Sequence, residues 1–93
     1  MALEISYWTA SRSNPNVPGA VVSAESRSIS GASAQSGATP ANAVFVKLNA
    51  GEASRFAYDG SNPTATAASA YMGYGEIIWL DAVAGNKIAG IAG

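Results

Sequence analysis

Apolar and polar residues alternate in short runs along this chain, and the period is two. Leu3, Ile5 and Tyr7 alternate with Glu4 and Ser6, which predicts a first strand or an extended arm over residues 1–10. Ala20 to Ser30 is rich in β-branched and polar residues and predicts a second strand. Its alternation is imperfect: Val22, Ala24, Ser26, Ser28 and Ser30 share one face, and Val21, Ser23, Glu25, Arg27 and Ile29 the other. The clearest strand is Ala43 to Asn49, with Val44, Val46 and Leu48 on one face and Phe45 and Lys47 on the other. Ala50-Gly51-Glu52 then turns the chain into Ser54 to Tyr58, where Phe56 and Tyr58 are flanked by Arg55 and Ala57. A short glycine-containing turn between two such runs predicts a hairpin. Glu76 to Asp81 has an apolar centre and predicts a short buried strand. Gly85-Asn86 turns the chain into a last strand, Lys87 to Ala92, with Ile88 and Gly90 on one face and Ala89 and Ile91 on the other.

The connections are equally marked. Ser11 to Gly19 holds two prolines, two asparagines and a glycine, and reads as a loop. Gly31 to Asn42 reads as a flexible connection. Thr64 to Met72 is alanine-rich, and Thr64 is a usable helix cap. Its threonines, its lack of an apolar stripe and its lack of Glu or Lys favour an extended segment or loop instead. No repeat of fixed period is present. The expectation is an all-β chain: a small antiparallel β-sandwich or jelly-roll-like barrel of five or six short strands. Residues 1–93 form a single β domain in this reading, with residues 1–19 as an extended N-terminal arm and loop. If Lys87 to Ala92 lies at a sheet edge, its unpaired backbone invites another chain.

Composition limits the core that these strands can build. Alanine, serine and glycine supply 42 of the 93 residues, whereas Val, Ile, Leu, Met, Phe, Trp and Tyr together number 25. Burial stabilises in proportion to apolar area, so alanine contributes little per residue. With no cysteine and no histidine, neither a disulfide nor a metal staple compensates. Association with copies of itself or with a larger surface is the remaining route to robustness. Charged residues are only 12%, the net charge is −1, and the five cations are scattered: Arg12, Arg27, Lys47, Arg55 and Lys87. No basic stripe exists, which argues against nucleic acid as a partner. A low-charge surface desolvates cheaply against protein. The start MALEISYWTASRS lacks the basic stretch and apolar run of a secretory signal, and no run nears the ~20 apolar residues of a membrane helix. Synthesis in a cytoplasm and no membrane contact are therefore expected.

From Gln35 onward the segments form an ordered set. A Ser/Ala-rich lead-in precedes the strand Ala43 to Leu48, then a short turn and a strand ending at Asp59-Gly60. The block Ser61 to Thr66 (SNPTAT) follows, then Tyr71-Met72-Gly73-Tyr74-Gly75, the apolar strand Ile77 to Leu80, and the closing Gly85 to Ile88. This set, covering about two thirds of the chain, resembles a group of small structural proteins of tailed bacteriophages. The resemblance implies a virion component, and its commonest niche is capsid decoration, or cementing. Such proteins sit on the outer capsid surface as trimers or dimers and bridge subunits of the major capsid protein. One copy touching two shell subunits gains avidity through effective concentration. The alternative is a low-copy module at the tail, baseplate or vertex that recognises a host-surface glycan. The resemblance carries no catalytic residue across.

The aromatic residues are the candidate contacts, because Tyr and Trp bury large area while keeping a polar tip. Tyr7, Trp8, Tyr71 and Tyr74 are the expected protein interface, and Trp79, inside an apolar run, is expected in the core. The arm Ala2 to Ala10 is expected to add to a neighbouring chain's sheet edge. Asp59-Gly60 is a turn pair, and Arg55 and Glu52 stand near enough in sequence to pair across a hairpin. Asp59 and Asp81 offer hard oxygen ligands for calcium, but no EF-hand spacing accompanies them, so no metal and no cofactor are expected. The absence of histidine excludes a Ser-His-Asp system, neither lysine has Ser-x-x-Lys spacing, and the six acids are scattered. No catalytic residue and no enzymatic activity are expected.

Overall fold

The structure, a computed structural model, describes residues 2–93 and contains eight strands and no helix among them. The strands are β1 (Ala2–Ala10), β2 (Pro18–Ser28), β3 (Ala34–Gln35), β4 (Phe45–Ala50), β5 (Ser54–Asp59), β6 (Ala70–Met72), β7 (Ile77–Asp81) and β8 (Lys87–Ala92). They form two antiparallel four-stranded sheets, ordered β2-β1-β4-β7 and β3-β8-β5-β6. The result is a small β-sandwich with eight strands where the pattern predicts five or six. The two extra strands, β3 and β6, are two and three residues long. Runs that short carry no readable alternation.

The core lies between the sheets. Leu3, Ile5 and Tyr7 of β1 pair across to Ala50, Leu48 and Val46 of β4, and all six are buried. The other sheet supplies Phe56, Met72 and Ile88, and Ile29 fills in from the β2–β3 connection. Gly90 faces this core: a Cβ there would stand 3.0 Å from Ile29 Cγ2 and 3.3 Å from Leu3 Cδ2. Its missing side chain is the space that those two residues occupy.

Four expectations are corrected. First, residues 2–10 are no arm. β1 is an inner strand with β2 on one side and β4 on the other, so its backbone has no capacity left for a neighbour. Second, β4 and β5 make no hairpin, because they belong to different sheets. At the crossover Gly51 N–H donates to Ala2 O at 2.9 Å, and a Cβ on Gly51 would approach that oxygen to 2.5 Å. The chain is thereby held against β1 and steered across the sandwich. Third, β7 is an edge strand with alternate residues exposed, not a buried one. Fourth, β8 is not an edge: β5 flanks one side, and β3, Ser36 and Ser30 serve the other.

The imperfect alternation of residues 20–30 has a physical source. The β1–β2 register slips between Tyr7 and Trp8, so Val22 is inserted as an extra residue. The slip lets Val22 pack against the core while Glu25 and Arg27 lie opposite Ile5 and Leu3 on the inward side. The 31–42 connection, expected to be flexible, is fastened down: Ser36 N–H donates to Ile88 O and Ser36 Oγ accepts from Ile88 N–H. Asp59 Oδ1 accepts from Gly60 N–H at the turn, while the positive-φ glycines are Gly75 and Gly85.

Gly51→Ala is expected to destabilise the protein by about 1–3 kcal/mol, because backbone must shift to admit the methyl. Gly60→Ala, where a Cβ meets nothing within 4 Å, should stay within about 0.5 kcal/mol of the parent. Urea unfolding of the two variants measures the difference.

Candidate functional site

The two sheets differ on their outer sides. Over the β3-β8-β5-β6 sheet lies the Ser61–Thr66 block. Gln35 Nε2 donates to Asn62 Oδ1 at 2.7 Å and to Pro63 O at 2.9 Å, and Ala65 N–H donates to Ser33 Oγ at 2.9 Å. Pro63 and Ala65 are buried there, as is Ala89 on the outward side of β8. That block is thus a lid on one sheet.

The β2-β1-β4-β7 sheet has no such cover. Its outward side carries Trp8 of β1, Phe45 and Lys47 of β4, and Ile77, Trp79 and Asp81 of β7. The register places Trp8 beside Phe45, Phe45 beside Asp81, and Lys47 beside Trp79. Trp79 is the hub: its ring centroid lies 5.7 Å from that of Trp8 and 6.5 Å from that of Phe45, both edge-to-face. Such pairs are favoured by the ring quadrupole. Lys47 Nζ stands 5.7 Å from the Trp79 centroid, a cation–π contact. Trp8 Nε1 donates to Ser6 Oγ at 2.8 Å, which fixes its ring. Next to this cluster is an open cleft of about 280 Å³ lined by Asn16, Pro18, Phe45 and Trp79. Trp79 is 43% exposed and Ile77 49%.

The four expected contact residues are not brought together. Tyr7 is a correction: it is 2% exposed and belongs to the core. Its hydroxyl donates toward the Glu25 carboxylate at 3.3 Å and the Gly37 carbonyl at 3.4 Å. Burial pushes its pKa up to about 12, with the nearby Glu25 charge adding to the rise. Trp8 is half-buried within the outer aromatic cluster. Tyr71 is 52% exposed on β6, where the Arg55 guanidinium sits 5.2 Å from its ring centroid, and Tyr74 is 78% exposed between β6 and β7. Arg55 also donates to Ser69 O, so it does not pair with Glu52; the ion pair among the described residues is Arg27 with Glu25 at 3.1 Å. Trp79, expected in the core, is the centre of the exposed face instead. The signal was present in the sequence: Asp81 and Trp79 share a face at period two, and a carboxylate marks that face as wet. Phe45 and Lys47 carry the same message one strand over.

No group of three or more His, Cys, Asp or Glu side chains comes together among the described residues, and no helix among them is long and apolar enough to cross a membrane. Comparison with known proteins gives no match, whether to a family model, to a curated protein or to a solved structure.

The raised Tyr7 pKa sets an alkaline limit on stability. The folded state holds the phenol proton more tightly than the unfolded chain does, so this contribution is complete below pH 10 and is lost as pH rises toward 12. Tyr7→Phe should flatten the fall in unfolding free energy across that window. Urea titrations of both proteins at several alkaline pH values measure it.

Proposed function

We propose that this chain is a non-enzymatic structural protein that works by docking to a larger protein surface, and that the surface is the shell of a tailed-phage particle. The observation that carries the docking reading is the uncovered outward side of the β2-β1-β4-β7 sheet, where Trp79 and Ile77 stay half exposed in a chain short of large apolar residues. A monomer with no partner gains nothing from leaving them in water. The phage reading rests on the resemblance carried by residues 35–93. On it, the protein is a capsid decoration protein whose partner is the major capsid protein, each copy bridging neighbouring subunits, with self-association as a dimer or trimer.

A second reading is favoured by the cleft between Asn16, Pro18, Phe45 and Trp79. An aromatic wall with an amide at its rim, and with Asp81 and Lys47 beside it, suits a sugar ring. In this reading the chain is a low-copy module at the tail, baseplate or vertex that binds a host-surface glycan. Addition of host polysaccharide would then change tryptophan fluorescence.

Quantitative mass spectrometry of purified particles separates the two. Decoration requires a near-equal or simple fractional ratio to the shell protein. A ratio lower by one or two orders of magnitude moves the protein to the tail or vertex, and its absence overturns the virion assignment. Trp79→Ala is expected to lower particle occupancy about tenfold or more while the far-ultraviolet circular dichroism spectrum is kept.

A further inference from the structure

The sandwich has four sheet edges, and three of them carry devices that discourage pairing. β2 begins at Pro18, breaks register twice against β1, and turns Glu25 and Arg27 inward. β3 has two residues and β6 three. Proline, bulges, inward charges and short length are the usual means of blunting an edge. β7 has none of these. Its register with β4 is unbroken from Ile77 to Asp81, it contains no proline, and Ile78 and Leu80 on its inward side pack against the core.

The hydrogen-bond phase of β7 is fixed at both ends. Ala82 N–H donates to Val44 O at 2.9 Å, and Ala50 N–H donates to Glu76 O at 3.1 Å. The antiparallel ladder therefore turns the even-numbered residues toward β4. The N–H and C=O groups of Ile77, Trp79 and Asp81 point the other way, with no strand beside them. Charge frames this open row. Asp81 ends the strand and Glu76 immediately precedes it, with Glu76 Oε1 accepting from Gly73 N–H at 2.9 Å and its second oxygen open among the described residues. No Lys or Arg lies on the strand, and Lys47, on β4, is held over the Trp79 ring.

We propose that β7 accepts an extended strand from a partner protein, adding a fifth strand to this sheet. The partner segment has an apolar side that continues the inward row of Ile78 and Leu80, and Lys or Arg at both ends to meet Glu76 and Asp81. The acids lie five positions apart, so the two-residue period of the strand sets Asp81 on the outward side with Trp79 and Glu76 on the side of Ile78. An antiparallel segment with cations five positions apart meets one acid on each side. A second copy of this chain fits poorly. Antiparallel self-pairing centred on Trp79 sets Asp81 opposite Ile77 and Glu76 opposite Ala82, which leaves both acids of both copies without a cation. The inference concerns the edge alone and holds with or without a phage particle.

The test titrates the full chain with the synthetic peptide Lys-Val-Thr-Val-Thr-Lys, whose valines fall opposite Leu80 and Ile78 when its first lysine faces Asp81 and its last faces Glu76, and with its Glu-flanked counterpart, reading tryptophan fluorescence and amide hydrogen exchange. The Lys-flanked peptide is expected to saturate at a Kd below about 1 mM, about tenfold tighter than the Glu-flanked one. Exchange should slow at the amides of Ile77, Trp79 and Asp81. Asp81→Lys should shrink the preference, and Trp79→Pro, tolerated at an edge because its N–H faces solvent, should abolish binding. Equal affinity for the two peptides, no binding at about 1 mM, or slowed exchange elsewhere would overturn the proposal. So would concentration-dependent dimers in sedimentation with these three amides protected in the absence of peptide, which would assign the edge to a second copy.

Discussion

The inward row Leu3, Ile5 and Tyr7 meets Ala50, Leu48 and Val46 on the adjacent strand, and this pair of rows is the one dense apolar wall in the molecule. The opposing sheet brings less. Phe56, Ile88 and Met72 reach across, but Ser54 and Gly90 occupy inward positions between them. Placement therefore has to do what bulk cannot. Gly90 lets Leu3 and Ile29 into its space, and Gly51 presses on Ala2 so that the chain leaves one sheet for the other at the end of the wall. Because interiors are packed to crystal-like density, such close approaches matter more in a small core than in a large one.

Where apolar bulk runs out, polar seams close the sandwich. Glu25 receives both the Tyr7 hydroxyl and the Gly37 N–H, which ties β2 and the 31–42 connection to the core. Thr39 Oγ1 lies 2.8 Å from the Tyr58 hydroxyl and donates to Asn86 O, closing the opposite rim. Each such bond contributes about 0.5–1.5 kcal/mol net, but leaving its buried partner unmade costs more. The seams thus act chiefly against alternative packings. They also decide which outer side is left bare. Gln35 and Ser33 anchor the Ser61–Thr66 block over one sheet, whereas on the other the 11–17 loop reaches only the rim of the aromatic cluster, where Asn16 lines the cleft beside Phe45 and Trp79.

Much of this was legible in the residues. Period-two alternation located six of the eight strands, and the turn chemistry at Gly85-Asn86 placed the last of them. Pairing was not legible. The Ala50-Gly51-Glu52 turn resembles a hairpin loop in composition, but what steers it is Gly51 against Ala2, a contact between residues far apart in the chain. The same limit governed the site. A run such as Ile77-Ile78-Trp79-Leu80 reads as core as long as its strand is assumed to lie inside a sheet. At an edge the same run splits into an inward pair and an outward pair, and Trp79 falls on the outward side. Tyr7 erred the opposite way, because period two gave its face correctly and only its place near the terminus argued for contact.

The outer aromatic cluster has a property that bears on binding independently of any partner. Trp8, Phe45 and Trp79 are already packed edge-to-face on three adjacent strands, with Lys47 and Ser6 holding two of the rings. A partner meeting this face orders few new rotamers, so little of the contact energy is lost to side-chain entropy. The neighbouring backbone row on β7 is fixed in the same way by its ladder to β4. In a chain with so few large side chains, setting Trp79 and Ile77 outward weakens the core that could have used them. The docking proposed above would offset that loss by covering the face.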